Sequence, residues 1–148
     1  MYSGNEDEDK AAKELRRIDH LLFVTLKYTR TVDVIRSILQ KYLNTIGFRV
    51  KDHYEFLFEK GKIKEVPIAP VMRIKRLEVI YPKDEKIKVM VDFFIQLKAV
   101  LNDDYRAKEE YRKNVTLVTK EREVNIPILK EYVNDVKAFV EHIDSLEE

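Results

Sequence analysis

Leu15, Ile18, Leu22, Thr25 and Thr29 recur at alternating spacings of three and four. That is one face of an amphipathic helix. The rhythm continues through Val32, Ile35, Leu39, Tyr42 and Ile46, with one step of three where four is due. A shortened step rotates the buried face. The slip falls on "KYTRT", so a boundary near Thr29 to Thr31 is expected, with Thr31 capping a second helix and Asp33 in its first turn. Thr25 and Thr29 are expected to face inward, and Lys27 and Arg30 outward.

The second helix should run to about Lys60 and contain Gly47, with Gly61 as its C-terminal stop. "KIKEVPIAP" then reads as a loop and "VMRIKRLEVIY" as a short helix ended by Pro82, which can open the next helix. Ile87, Met90, Phe94, Leu97, Leu101 and Tyr105 keep helical spacing, and the pattern predicts one long helix through "EEYRK". "VTLVTKEREVNI" is β-branched and alternating, which predicts a hairpin turning around Lys120 to Arg122. Asn125 and Pro127 then open a last helix with a stripe of Ile128, Tyr132, Val136, Phe139 and Ile143.

These elements predict an all-α fold: an antiparallel bundle of four main helices, a short connector helix and a small β-hairpin before the C-terminal helix. The 148 residues suit a single domain, with residues 1–8 as a flexible acidic tail. Six tyrosines at helical positions (Tyr28, Tyr42, Tyr54, Tyr105, Tyr111 and Tyr132) are expected to bury their rings and keep their hydroxyls near the surface.

Composition narrows the chemistry. Charged residues make up 37% of the chain, yet the net charge is only +1, which describes solvated helix faces without a global pull toward nucleic acid or membrane. There is no cysteine, hence no disulfide and no thiolate metal site. The acidic N-terminus and the lack of a long apolar run lead to the expectation of a cytoplasmic protein without a membrane partner.

None of the three histidines stands three residues after a glutamate, so the di-iron bundle pattern is missing. No Gly-rich phosphate loop or nucleophile-elbow serine is present. Asp103 with Asp104, and Glu109 with Glu110, would splay apart on a helix and face solvent opposite Arg106 and Arg112. No catalytic residue, metal ligand or cofactor is expected.

The layout of two helices, a proline-containing loop, a short helix and a long helix resembles the HEPN family of small helical ribonucleases. That family carries an Arg and a His with four to six residues between them. Arg49 and His53 have three between them and sit on one helix side, one turn apart. The spacing departs from the motif, and the activity is not carried over.

Charge distribution is the remaining signal. Residues 60–88 hold nine basic residues against four acidic ones, +5 net, while both ends of the chain are acidic. Two functions follow as expectations. One is a non-enzymatic helical interaction module, a homo-oligomer with the dimer favoured. The other is a nucleic-acid-associated protein whose basic segment contacts phosphates through Arg73, Lys75 and Arg76, aided by Lys27 and Arg30 if they lie nearby.

Overall fold

The computed structural model describes residues 9–148, so the expected acidic tail lies outside the described residues. The first helix, α1 (Lys10–His20), is capped by Asp9, whose carboxylate accepts from the amide of Ala12. It runs without a break into a π turn (Leu21–Thr25) and a final short turn, α2 (Leu26–Tyr28). A π turn takes one more residue than an α turn. The inward stripe therefore advances by fours, Ile18 to Leu22 to Leu26, and all three are buried. This corrects the expected stripe: Leu26 takes the inward place, Thr25 is half-buried and Thr29 is exposed. Lys27 faces solvent as expected, but Arg30 is half-buried.

The break at "KYTRT" is present. Residues 29–31 leave the helix, and α3 (Val32–Glu59) begins with Thr31 as its cap, the hydroxyl accepting from Val34 N. A second cap comes from far along the chain, since Glu110 Oε2 accepts from Val32 N at 2.8 Å. The amide of Tyr111 also donates to the carbonyl of Arg30 at 2.7 Å. At 1.5 Å per residue α3 is about 40 Å long, and α1, α4, α5 and α6 all pack against it. Its buried stripe includes Val32, Ile35, Leu39, Tyr42 and Ile46, as the spacing predicts. Gly61 ends it with φ of +75°, a conformation that costs glycine little.

Helix α4 (Pro70–Ile80) starts on Pro70 and buries Ile74 and Leu77. Helix α5 (Glu85–Asn102) is capped by Asp84 rather than opened by Pro82, which lies in the preceding turn. It stops well short of the long helix that the pattern predicts. Asp103 turns extended, and its two carboxylate oxygens accept from Asp104 N and Lys120 N. Residues 105–108 then form β1 (Tyr105–Lys108). The expected hairpin follows as β2 (Thr116–Thr119) and β3 (Glu123–Asn125), in antiparallel register with Leu117 opposite Val124. Strand β1 pairs antiparallel with the other side of β2, so the sheet order is β1-β2-β3.

The fold is thus mostly helical with a small three-stranded antiparallel sheet. A two-stranded hairpin is marginal in water, and here β1 covers the open edge of β2 while β2 packs on α3 and β3 on α6. Asn125 caps α6 (Ile126–Ser145) through Ile128 N, with Pro127 in the first turn. Val136, Phe139 and Ile143 are buried, but the rest of the inward face is Leu129 and Val133, with Ile128 and Tyr132 at its margin. The tyrosines divide. Tyr42 and Tyr54 are fully buried, their hydroxyls donating to Leu129 O and Arg73 O, whereas Tyr28 and Tyr111 are exposed. Tyr105 lies on β1, under the Arg36 guanidinium at 4.1 Å from the ring centre.

Candidate interaction surface

The five sequence-predicted anion-contact residues separate into two groups. Arg73, Lys75 and Arg76 are on α4, docked near Tyr54 at the far end of α3. Lys27 and Arg30 lie before its first turn, roughly 30 Å away along the helix axis. The structure does not bring the two groups together. Arg30 also points its Nε into a buried position without a hydrogen-bond partner among the described residues. Within α4 the three cations differ. The Nε of Arg73 donates to the carbonyl of Pro67, which ties the loop to the helix, while Lys75 and Arg76 are exposed.

With Ile74 and Leu77 inward, helical spacing turns Met72, Lys75, Arg76 and Val79 outward. Val79 is 77% exposed and Ile68, just before the helix, 88%. Apolar side chains at this exposure beside free cations make a face suited to a partner surface. The sequence reading missed Ile68, Met72 and Val79. The available signal was the doubled apolar pattern of "VMRIKRLEVI", which has more large side chains than one buried stripe can use.

Opposite charge lies on the outer side of α6. Glu131, Asp135 and Glu141 are exposed there, with Lys130 exposed beside them and Lys137 paired to Asp19. Burial and the negative charge of Glu131 one turn away push the Asp135 carboxyl up from its ordinary value. Like charges at this spacing repel, and no cation lies within ion-pair distance of either among the described residues.

A second cluster is centred on two buried side chains, Arg49 and His53. Arg49 and His53 do lie side by side on α3, but they face inward. Arg49 donates to Asp144 at 2.9 Å and Glu147 at 2.6 Å. His53 meets Glu147 at Nδ1, 2.8 Å, and the Tyr81 hydroxyl at Nε2, 2.7 Å. Burial lowers the His53 pKa below its ordinary value, outweighing the Glu147 hydrogen bond. The neutral ring then carries its proton on Nδ1 toward the carboxylate and accepts from Tyr81 on Nε2. Burial, with the charges of Glu147 and Asp84, pushes the Tyr81 hydroxyl up. Nearby, His142 Nε2 contacts Asp84 at 2.7 Å. Although burial works against it, the His142 contact and the Ile87 amide hold the Asp84 carboxyl below its ordinary range. These groups fasten the end of α6 to α3 and to the α4–α5 turn. His20, by contrast, is exposed on α1.

The expected acidic face on a long helix is replaced by caps: Asp103 serves the turn before β1 and Glu110 serves α3. Among the described residues no group of three or more His, Cys, Asp or Glu could hold a metal ion, and no helix is long and apolar enough to cross a membrane. Comparison with protein-family models, with curated proteins and with solved structures finds no match for this chain.

Proposed function

We propose that this chain is a non-enzymatic interaction module that works as a homodimer, with the outer face of α4 set against the outer face of α6 from a second copy. One observation carries this reading: Met72, Lys75, Arg76 and Val79 are turned outward together on a helix whose inward face is already filled by Ile74 and Leu77. The acidic, self-repelling pair Glu131 and Asp135 is its electrostatic complement, and cations from another copy would relieve the repulsion. A two-fold axis makes this contact twice, because α4 meets the partner's α6 and α6 meets the partner's α4. The inward ties of Arg49, His53 and Glu147 support a structural use of the best-placed ionisable groups.

Gel filtration with light scattering tests it. The wild type runs as a dimer at micromolar concentration and dissociates as salt rises, because exposed ion pairs are screened. Lys75→Glu with Arg76→Glu runs as a folded monomer. A wild type that stays monomeric at high micromolar concentration contradicts the proposal.

A second reading has its own observation. Lys62, Lys64, Lys83 and Lys86 are also exposed on the segments flanking α4, without acidic partners among the described residues. Such a face could take a phosphate backbone. Fluorescence anisotropy with single-stranded RNA and duplex DNA would then show binding that falls with salt, at a log–log slope of about −0.9 per duplex phosphate neutralised.

A further inference from the structure

We propose that the groove enclosed by α3, α4 and α5 is a binding site for a small organic carboxylate carried on an apolar body. The groove has a volume of about 560 Å³, within the usual range for small-molecule sites of roughly 300–1,000 Å³. Its accessible apolar lining is the half-buried Phe48 and the exposed Pro70, while Leu43, Val50, Ile74 and Phe94 at its base are already almost closed to solvent. It opens on the inner margin of α4, away from Met72, Arg76 and Val79, so it does not rest on the dimer.

Two independent features point to an occupant. The first is Gly47, in the middle of α3 and lining the groove. Glycine is the poorest helix former after proline, and no backbone conformation demands it here. A Cβ at this position would meet nothing within 4 Å. The space over Gly47 is therefore room in the groove, and any larger side chain would take it up.

The second feature is charge. Lys10, Lys51, Arg73 and Lys98 line the groove against two acids, Asp52 and Glu55. Two of the cations are held in place: the Lys10 ammonium lies 5.9 Å from the Phe48 ring centre, and the Arg73 guanidinium is tied to Pro67. Lys51 and Lys98 are exposed and have no ion-pair partner among the described residues. Lys51 comes from α3 and Lys98 from α5, so the free cations approach the opening from two walls. An apolar body would fill the space over Gly47 against Phe48 and Pro70, and a carboxylate at the rim would meet the two ammonium groups. A neutral apolar ligand would leave that charge unused, and an inorganic anion would leave Phe48, Pro70 and the space over Gly47 uncovered.

The test is a titration of the full-length chain with octanoate and with phenylbutyrate, followed by amide chemical shifts, with octanol and phenylbutanol as neutral counterparts. The expected result is saturable shifts at Gly47, Phe48 and Lys51, with each acid binding at least tenfold more tightly than its alcohol. Gly47→Leu, which replaces a poor helix former, should stay folded and lose the site. Lys51→Glu with Lys98→Glu, both on exposed positions, should weaken the acids at least tenfold and leave the alcohols unchanged. Lys75→Glu with Arg76→Glu should bind as the wild type does, whatever its oligomeric state. Absence of saturable shifts at Gly47 at millimolar ligand, equal affinity for acid and alcohol, or undiminished binding by Gly47→Leu each overturns the proposal.

Discussion

Glu110 shows how much one residue can do from a distance. Its carboxylate accepts from the first amide of α3 although 78 positions separate the two residues. Removing a helix cap usually costs ~1 kcal/mol, so Glu110→Ala should lower stability by about that amount in urea unfolding, with Glu110→Gln milder. Gly47→Ala should move the other way, stabilising by about 0.5–1 kcal/mol, since the added methyl meets nothing and helix propensity improves. Glu147 carries more. Replacing it by Ala leaves Arg49 with only the exposed Asp144 and His53 with no partner on Nδ1. Breaking a buried pair from one side costs about 3 kcal/mol or more.

His53 also gives the molecule a pH dependence with a definite sign. Its folded pKa is below the ordinary 6.5, with burial as the largest cause and the Arg49 charge adding to it. The folded state therefore binds the proton less readily than the unfolded chain. The stability from neutral His53 is complete above about pH 6.5 and is lost as pH falls toward the folded value. His53→Gln should flatten the stability–pH curve below pH 6.5. An unchanged slope would mean that another group dominates that window.

At the scale of elements, much of the plan was legible because its signals are local. Thr31 with Asp33, Gly61, and Asn125 with Pro127 mark ends that the structure keeps. The hairpin at Lys120 to Arg122 was also legible, from β-branched alternation. Two features were not. The π turn has no residue-type signature, and only the replacement of Thr25 by Leu26 on the inward face reveals the extra residue. Strand β1 is written in helix-compatible residues, "YRAK", with every position exposed. Its strand state comes from the edge of β2, a contact made in three dimensions. The logic of spacing thus fails where a tertiary partner decides. Deleting the exposed Val24 should convert the π turn to an α turn and retain the fold, as circular dichroism and a cooperative melt would show. By contrast, Val118→Pro should destabilise the sheet strongly, because Val118 is central, facing Arg106 on one side and Glu123 on the other.

For the molecule as a whole, the basic middle of the chain was visible in the sequence, but its geometry was not. Segment 60–88 does gather around α4, yet Arg73 is tied to the loop, and Lys27 and Arg30 lie at the other end of α3. What remains is a basic, partly apolar face on one helix and an acidic face on another, each without a charge partner among the described residues. Opposite faces on one chain are what a two-fold dimer needs. The most direct measurement mixes two reversed variants. Lys75→Glu with Arg76→Glu makes α4 acidic, and Glu131→Lys with Asp135→Lys makes α6 basic. Each variant alone should run as a monomer by light scattering, since both of its contacts would set like charges together. Mixed in equal amounts they should form a heterodimer, because each α4 would again meet an α6 of opposite sign. A mixture that remains monomeric beside a dimeric wild type would contradict this pairing of faces.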